Sequence, residues 1–217
     1  MRKLIFGIVI ALALMTFGSA GAQTEVRAGI SVGDNGVNSF YLAIGSFYHV
    51  PEREVVAVRD KDIPDDQLPV VFFIARRAHV DPDLVIKLRL GGKSWLEITH
   101  YYKLSPEIYY IDAGDISGPP YGKAFGYFRN HPRSEWREAR LDDDDIINLV
   151  NLRFLSSHYK RTPAEIIRSR EAGHNFVIIN NDFYQARHEH HNDAKAKQDK
   201  PKKNGHGEHG KGKGHDK

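Results

Sequence analysis

Cysteine is absent from these 217 residues, which removes disulfides, thiolate metal sites and a cysteine nucleophile together. Charge of one sign is lacking too. The 31 basic and 28 acidic residues leave a net +3, too little for a chain built mainly to hold nucleic acid. No nucleophile elbow, phosphate-binding glycine loop or dinucleotide fingerprint occurs, so no catalytic motif argues for an enzyme. Acid–base pairs assembled in three dimensions leave no such trace. What is present, 41% hydrophobic and 27% charged residues, is ordinary globular composition and excludes a wholly disordered or fibrous chain.

The one long apolar run is residues 4–17, preceded by Arg2 and Lys3 and followed by Ala20-Gly21-Ala22. A basic start, an apolar stretch and small residues at a cleavage site predict a secretory signal peptide over 1–22. Fourteen helical residues span only about 21 Å, short of a hydrocarbon core of about 30 Å. No later run reaches the length of a membrane span. The expectation is an exported protein, periplasmic or extracellular, with no transmembrane segment in the mature chain.

Composition changes abruptly at Asn192. Residues 192–217 hold eight Lys, four acidic residues and six Gly or Pro, with no aromatic and no aliphatic larger than Ala. Such a stretch buries too little apolar surface to offset its ordering entropy, so a disordered tail is expected. The remaining body, 23–191, carries a charge of −3 and is long enough for one domain.

An internal repeat organises that body. Residues 80–98 match residues 161–179 at a shift of 81, with Pro82 on Pro163, Val85-Ile86 on Ile166-Ile167, Arg89 on Arg170, Gly92 on Gly173 and Trp95 on Phe176. A shorter copy places Ile44, His49, Val50, Val55, Val56, Val58 and Arg59 on the corresponding positions 30 residues later. The three repeats occupy about 40–62, 65–104 and 145–188.

Asp81 and Thr162 are N-cap types, each followed by proline at the first helical position. Thr162 with Glu165 and Ser94 with Glu97 make capping boxes, and Gly92 and Gly173 suit left-handed helix ends. Residues 66–79 and 145–159 read as the longer helices of the two larger units. The predicted fold is therefore mainly α: duplicated three-helix, helix-turn-helix-like units packed in one domain, with Trp95 and Phe176 in the core. Residues 176–179 (Phe-Val-Ile-Ile) are β-branched and would suit a strand, and only the repeat argues for helix.

The unit Pro-x-x-Val-Ile-x-Leu-Arg-x-x-Gly-x-Ser-Trp, running from Pro82 to Trp95 after Leu68-Pro69-Val70-Val71-Phe72-Phe73, resembles an uncharacterised family of exported bacterial proteins. The likeness covers roughly residues 45–185. It implies export and a helical fold, and no activity. The segment from Ser94 to Leu104 also resembles a DNA-binding helix-turn-helix. However, Trp95, Leu96, Glu97, Ile98, Tyr101 and Tyr102 offer apolar or acidic surface where a recognition helix needs basic and amide groups. No nucleic-acid partner is expected.

Three features remain as candidates for function. Residues 111–141 form a long Gly/Pro/aromatic connection whose Tyr121, Phe125, Tyr127 and Phe128 suit a surface for an envelope protein or polymer. Arg59, Arg89 and Arg170 are either anion ligands or helix C-terminal donors, and the second role is favoured. The acidic run 142–145 precedes a helix, where capping explains it better than a calcium site does. Finally, six of the 12 histidines lie from His188 onward. His188, His190, His191, His206, His209 and His215 suit zinc, nickel or copper held by a flexible chain. His49 and His79, at equivalent repeat positions, are expected to pack. The leading expectation is a non-enzymatic exported binding or structural module of the cell envelope, with no cofactor required. The alternative is periplasmic buffering of a divalent metal by the tail.

Overall fold

The computed structural model describes residues 34–114, 116 and 118–198, with side chains from 36 to 189. All regular structure among them is helical, and no helix there is long and apolar enough to cross a membrane. The order is α1 (Asp34–Tyr48), α2 (Glu52–Arg59), α3 (Leu68–Ala78), α4 (Pro82–Leu90), α5 (Trp95–Tyr101), α6 (Gly122–Asn130), α7 (Asp143–Tyr159), α8 (Pro163–Glu171) and α9 (Phe176–Gln198). Short 3-10 turns lie at Asp65–Gln67, Pro106–Tyr109 and Arg133–Glu138.

Two helices form the centre. In α3 every residue from Leu68 to Ala75 is buried, and in α7 Ile146, Leu149, Val150, Leu152, Phe154 and Leu155 lose almost all contact with solvent. A helix buried on most sides must be surrounded, and α7, whose Asn148, Asn151 and Ser156 are buried too, is packed by α3, α5, α8, α9 and α1. Helix α1 lies mainly along α9 and α2 and also touches α3 and α7.

The same local geometry recurs across the matched segments. Helices α3 and α7 end on left-handed residues, His79 at φ 55° and Lys160 at φ 56°, and His49 after α1 has φ 59°. The N–H of the next residue then donates back across the turn: Val50 to Gly45 O at 3.0 Å, Val80 to Ala75 O at 3.0 Å, and Arg161 to Ser156 O at 3.1 Å. His49 and His79 are exposed, so backbone conformation rather than packing is what they share. Asp81 caps α4 by accepting from the Asp83 N–H at 2.8 Å, and Thr162 with Glu165 boxes the start of α8. Gly92 and Gly173 follow at φ 87° and 90°, where a Cβ would meet no neighbour. Left-handed φ, not space, is what those two positions demand.

Arg89 and Arg170 then do the same work. Each donates from Nη1 to the carbonyl four residues on, Lys93 O at 3.1 Å and His174 O at 2.7 Å. Each also lies over the ring that opens the next helix, at 4.6 Å from Trp95 and 4.4 Å from Phe176. Arg89 further pairs with Asp143 at 2.5 Å, whose other oxygen accepts from the Trp95 N–H at 2.7 Å. Both arginines close helix ends and hold core aromatics. Arg59 is instead exposed beside Asp60, at 3.7 Å.

The segment 176–179 follows the repeat and not its local strand preference. Residues 176–179 are helical: Asn175 accepts from the Ile178 N–H at 2.9 Å, and all four side chains are buried at the start of α9. Tertiary burial overrides their strand preference. The same helix continues to Gln198, past the compositional boundary at Asn192. The connection 111–141 is not one long loop. It contains α6 and the Arg133–Glu138 turn, joined where Trp136 Nε1 donates to Phe128 O at 3.1 Å and His131 O at 3.0 Å.

Candidate functional site

At the C-terminal end of α7 the left-handed turn at Lys160 throws the chain outward, and α9 returns across it. Between them lies a cleft of about 280 Å³ lined by Tyr159, Lys160, Arg161, Phe183 and Arg187. Its floor is aromatic: the Tyr159 and Phe183 rings meet at 5.5 Å between centroids and 53°. Its walls are cationic. The Arg187 guanidinium sits 4.7 Å from the Tyr159 centroid, and that of Arg161 lies 5.4 Å from Phe183.

Each lining residue is positioned by the fold. Arg187 donates to His158 O at 2.8 Å, one of the carbonyls that α7 leaves without an intrahelical partner. Tyr159 donates its hydroxyl to Asn180 Oδ1 at 2.8 Å, which locks the ring against α9. Phe183 and Arg187 are four residues apart on α9, and so share one face.

The charges are poorly balanced. Glu165 lies 3.6 Å from Arg161, on an exposed pair of little energetic weight. Among the described residues neither Lys160 nor Arg187 has a carboxylate within ion-pair distance. Burial, helped by Arg187 and Lys160, pushes the neighbouring His158 imidazole down to about 4, so it is neutral near pH 7. Burial also holds the Tyr159 phenol above its ordinary value. The cleft thus presents three fixed cations around two ring faces. That arrangement attracts an anion with an apolar body, by Coulomb attraction and ring contact.

The aromatic residues expected to form a binding surface are placed differently. Tyr121, Phe125 and Phe128 retain 1%, 6% and 2% of their exposure and belong to the core. A ring with that little exposure has no face left for a partner. Tyr127 is half-buried, stacked on His131 at 4.1 Å, with its hydroxyl donating to Glu135 O at 3.0 Å. The acidic run is a cap, as expected: Asp142 and Asp145 form a capping box on α7, and Lys123 bridges both, at 2.5 Å and 3.4 Å.

His188 is exposed on α9 with its ring 4.3 Å from Tyr184. The side chains of His190 and His191, and residues His206, His209 and His215, lie outside the described part, as does the signal peptide over 1–22. Among the described residues no three His, Asp or Glu side chains converge where a metal ion could sit. Sequence reading missed the cleft, although it left one signal. An aromatic and a cation four apart at 183 and 187 mark a helix face, but nothing local says which surface that face meets. No protein-family model, curated protein or solved structure matches the chain.

Proposed function

We propose that this is a non-enzymatic exported binding module of the cell envelope, and that its partner is an acidic polymer engaged at the cleft between α7 and α9. The observation that carries this reading is the lining itself: Lys160, Arg161 and Arg187 set around Tyr159 and Phe183, with Glu165 paired to Arg161 alone among the three cations, as far as the described residues go. Guanidinium groups suit carboxylate and phosphate geometry, and the rings add contact with an apolar backbone. The export expected from residues 1–22 would bring such a cleft to acidic surface polymers.

Calorimetric titration of polygalacturonate into the mature chain at low salt tests the reading. Binding should weaken as salt rises, since the attraction is between solvent-facing charges. Arg161→Gln with Arg187→Gln should lower affinity about tenfold, corresponding to about 1.4 kcal/mol, while the lysine-rich tail stays intact. Affinity unchanged in the double variant would remove the cleft from the proposal.

A further inference from the structure

A second concentration of positive charge lies where α1, α3 and α7 pack together. Arg77 and Arg153 both sit over the Phe73 ring, at 5.3 Å and 5.8 Å from its centroid. Arg76 and Arg77 are exposed in the last turn of α3, and the Tyr48 ring stacks on Phe72 at 6.0 Å one turn earlier. Among the described residues none of these three arginines has a carboxylate within ion-pair distance.

Two of the three have an ordinary explanation. Basic side chains in the last turn of α3 complement the negative end of its dipole. Arg153 has no such excuse, because it stands in the middle of α7. It donates from Nη2 to the carbonyls of Ile108, at 3.2 Å, and Tyr110, which orients the guanidinium without neutralising it. Its Nε is buried and has no hydrogen-bond partner. Burial, and then the neighbouring Arg77, disfavour its charge, yet a guanidinium remains protonated at any physiological pH. Beside it the Tyr48 phenol, raised by burial against the pull of Arg153, Arg76 and Arg77, keeps its proton and remains a donor. A half-buried guanidinium without a carboxylate, a second one sharing its Phe73 ring and a third exposed beside that leave a concentration of positive charge whose missing component is an anion.

We infer that Arg76, Arg77 and Arg153, with Tyr48, form a site for a phosphoryl oxyanion, distinct from the cleft at Tyr159. Guanidinium forks match the pair of phosphoryl oxygens that free phosphate and a phosphodiester both present. The phosphoryl group belongs either to free phosphate or to a phospholipid headgroup, and the two are separated by experiment.

The test uses the full mature chain and inorganic phosphate, with chloride at equal ionic strength as the reference. Arginine side-chain NMR resonances should shift and saturate with phosphate, and Arg76→Gln with Arg77→Gln should weaken this at least tenfold. Both positions are exposed, so that variant should fold; Arg153 is left in place because it ties down the backbone. In the Arg161→Gln with Arg187→Gln variant the resonances of Arg76, Arg77 and Arg153 should still shift with an unchanged midpoint, whatever phosphate does at the cleft, which keeps this site separable from it. Absence of saturation, saturation that ignores Arg76 and Arg77, or loss in the cleft variant would each overturn the assignment. Pelleting with phosphatidylglycerol vesicles supplies the second arm. Pelleting that depends on Arg76 and Arg77 identifies a headgroup. Saturation by phosphate with no such dependence identifies the free anion.

Discussion

His158 shows how one side chain registers its surroundings. Its ring lies against Tyr159 at 4.6 Å and Phe47 at 6.5 Å, with Arg187 and Lys160 nearby. The folded imidazole protonates near pH 4 instead of 6.5, so between those values the unfolded chain holds more protons. Stability therefore falls as pH drops through that window and rises as pH is restored. After discounting for a ring that is half exposed, the loss is about 2 kcal/mol. Urea denaturation at pH 7 and pH 4.5 should show it, and His158→Gln should remove most of the difference. Asp66 and Asp145, raised chiefly by burial, act in the opposite sense, so the comparison is between variant and parent at each pH. An equal loss in the variant would assign the effect to other groups.

At the scale of elements, the helices are specified at their ends. Helices α5, α7 and α8 each begin on a capping box, at Ser94 and Glu97, Asp142 and Asp145, and Thr162 and Glu165. In the last, Glu165 Oε2 accepts from both the Thr162 N–H, at 2.8 Å, and its hydroxyl, at 3.0 Å. Thr162→Ala should cost about 1 kcal/mol in chemical denaturation, with little change in helix content. Thr162→Ser should restore most of it, and failure to do so would point to the threonine methyl instead of the cap. These boundaries were readable from sequence because capping, proline at the first turn and left-handed glycine act over three or four residues. The start of α9 was not readable in that way. Its Phe-Val-Ile-Ile run prefers a strand, and burial by neighbours distant in sequence makes it a helix.

At the scale of the molecule, one buried polar chain ties three helices together. Asn180 on α9 accepts from the Tyr159 hydroxyl of α7 at 2.8 Å and donates to Ser39 Oγ of α1 at 3.0 Å. Ser39 in turn donates to Gly36 O at 2.8 Å, and Asn180 is fully buried. Asn180→Leu removes the partner of two buried hydroxyls at once. It should destabilise the protein by about 2 kcal/mol or more, read from the denaturation midpoint. Because the same bond holds the Tyr159 ring, the variant should also loosen the cleft floor. A stability equal to the parent would mean that water replaces the amide.

The division between local and distant causes runs through the whole chain. Helical class, the caps, the left-handed glycines and the core positions of Trp95 and Phe176 followed from neighbours in sequence, because hydrogen bonding and helical periodicity are short-range. The fate of Tyr121, Phe125 and Phe128 did not. Aromatic rings suit a core and a binding surface equally well, and only packing decides which side of them faces solvent. The cleft follows the same logic. Lys160 and Arg161 end one helix and Phe183 and Arg187 lie on another, and their charges meet because α9 crosses the end of α7. That crossing is set by burial summed over the entire core, a quantity that no short stretch of sequence contains.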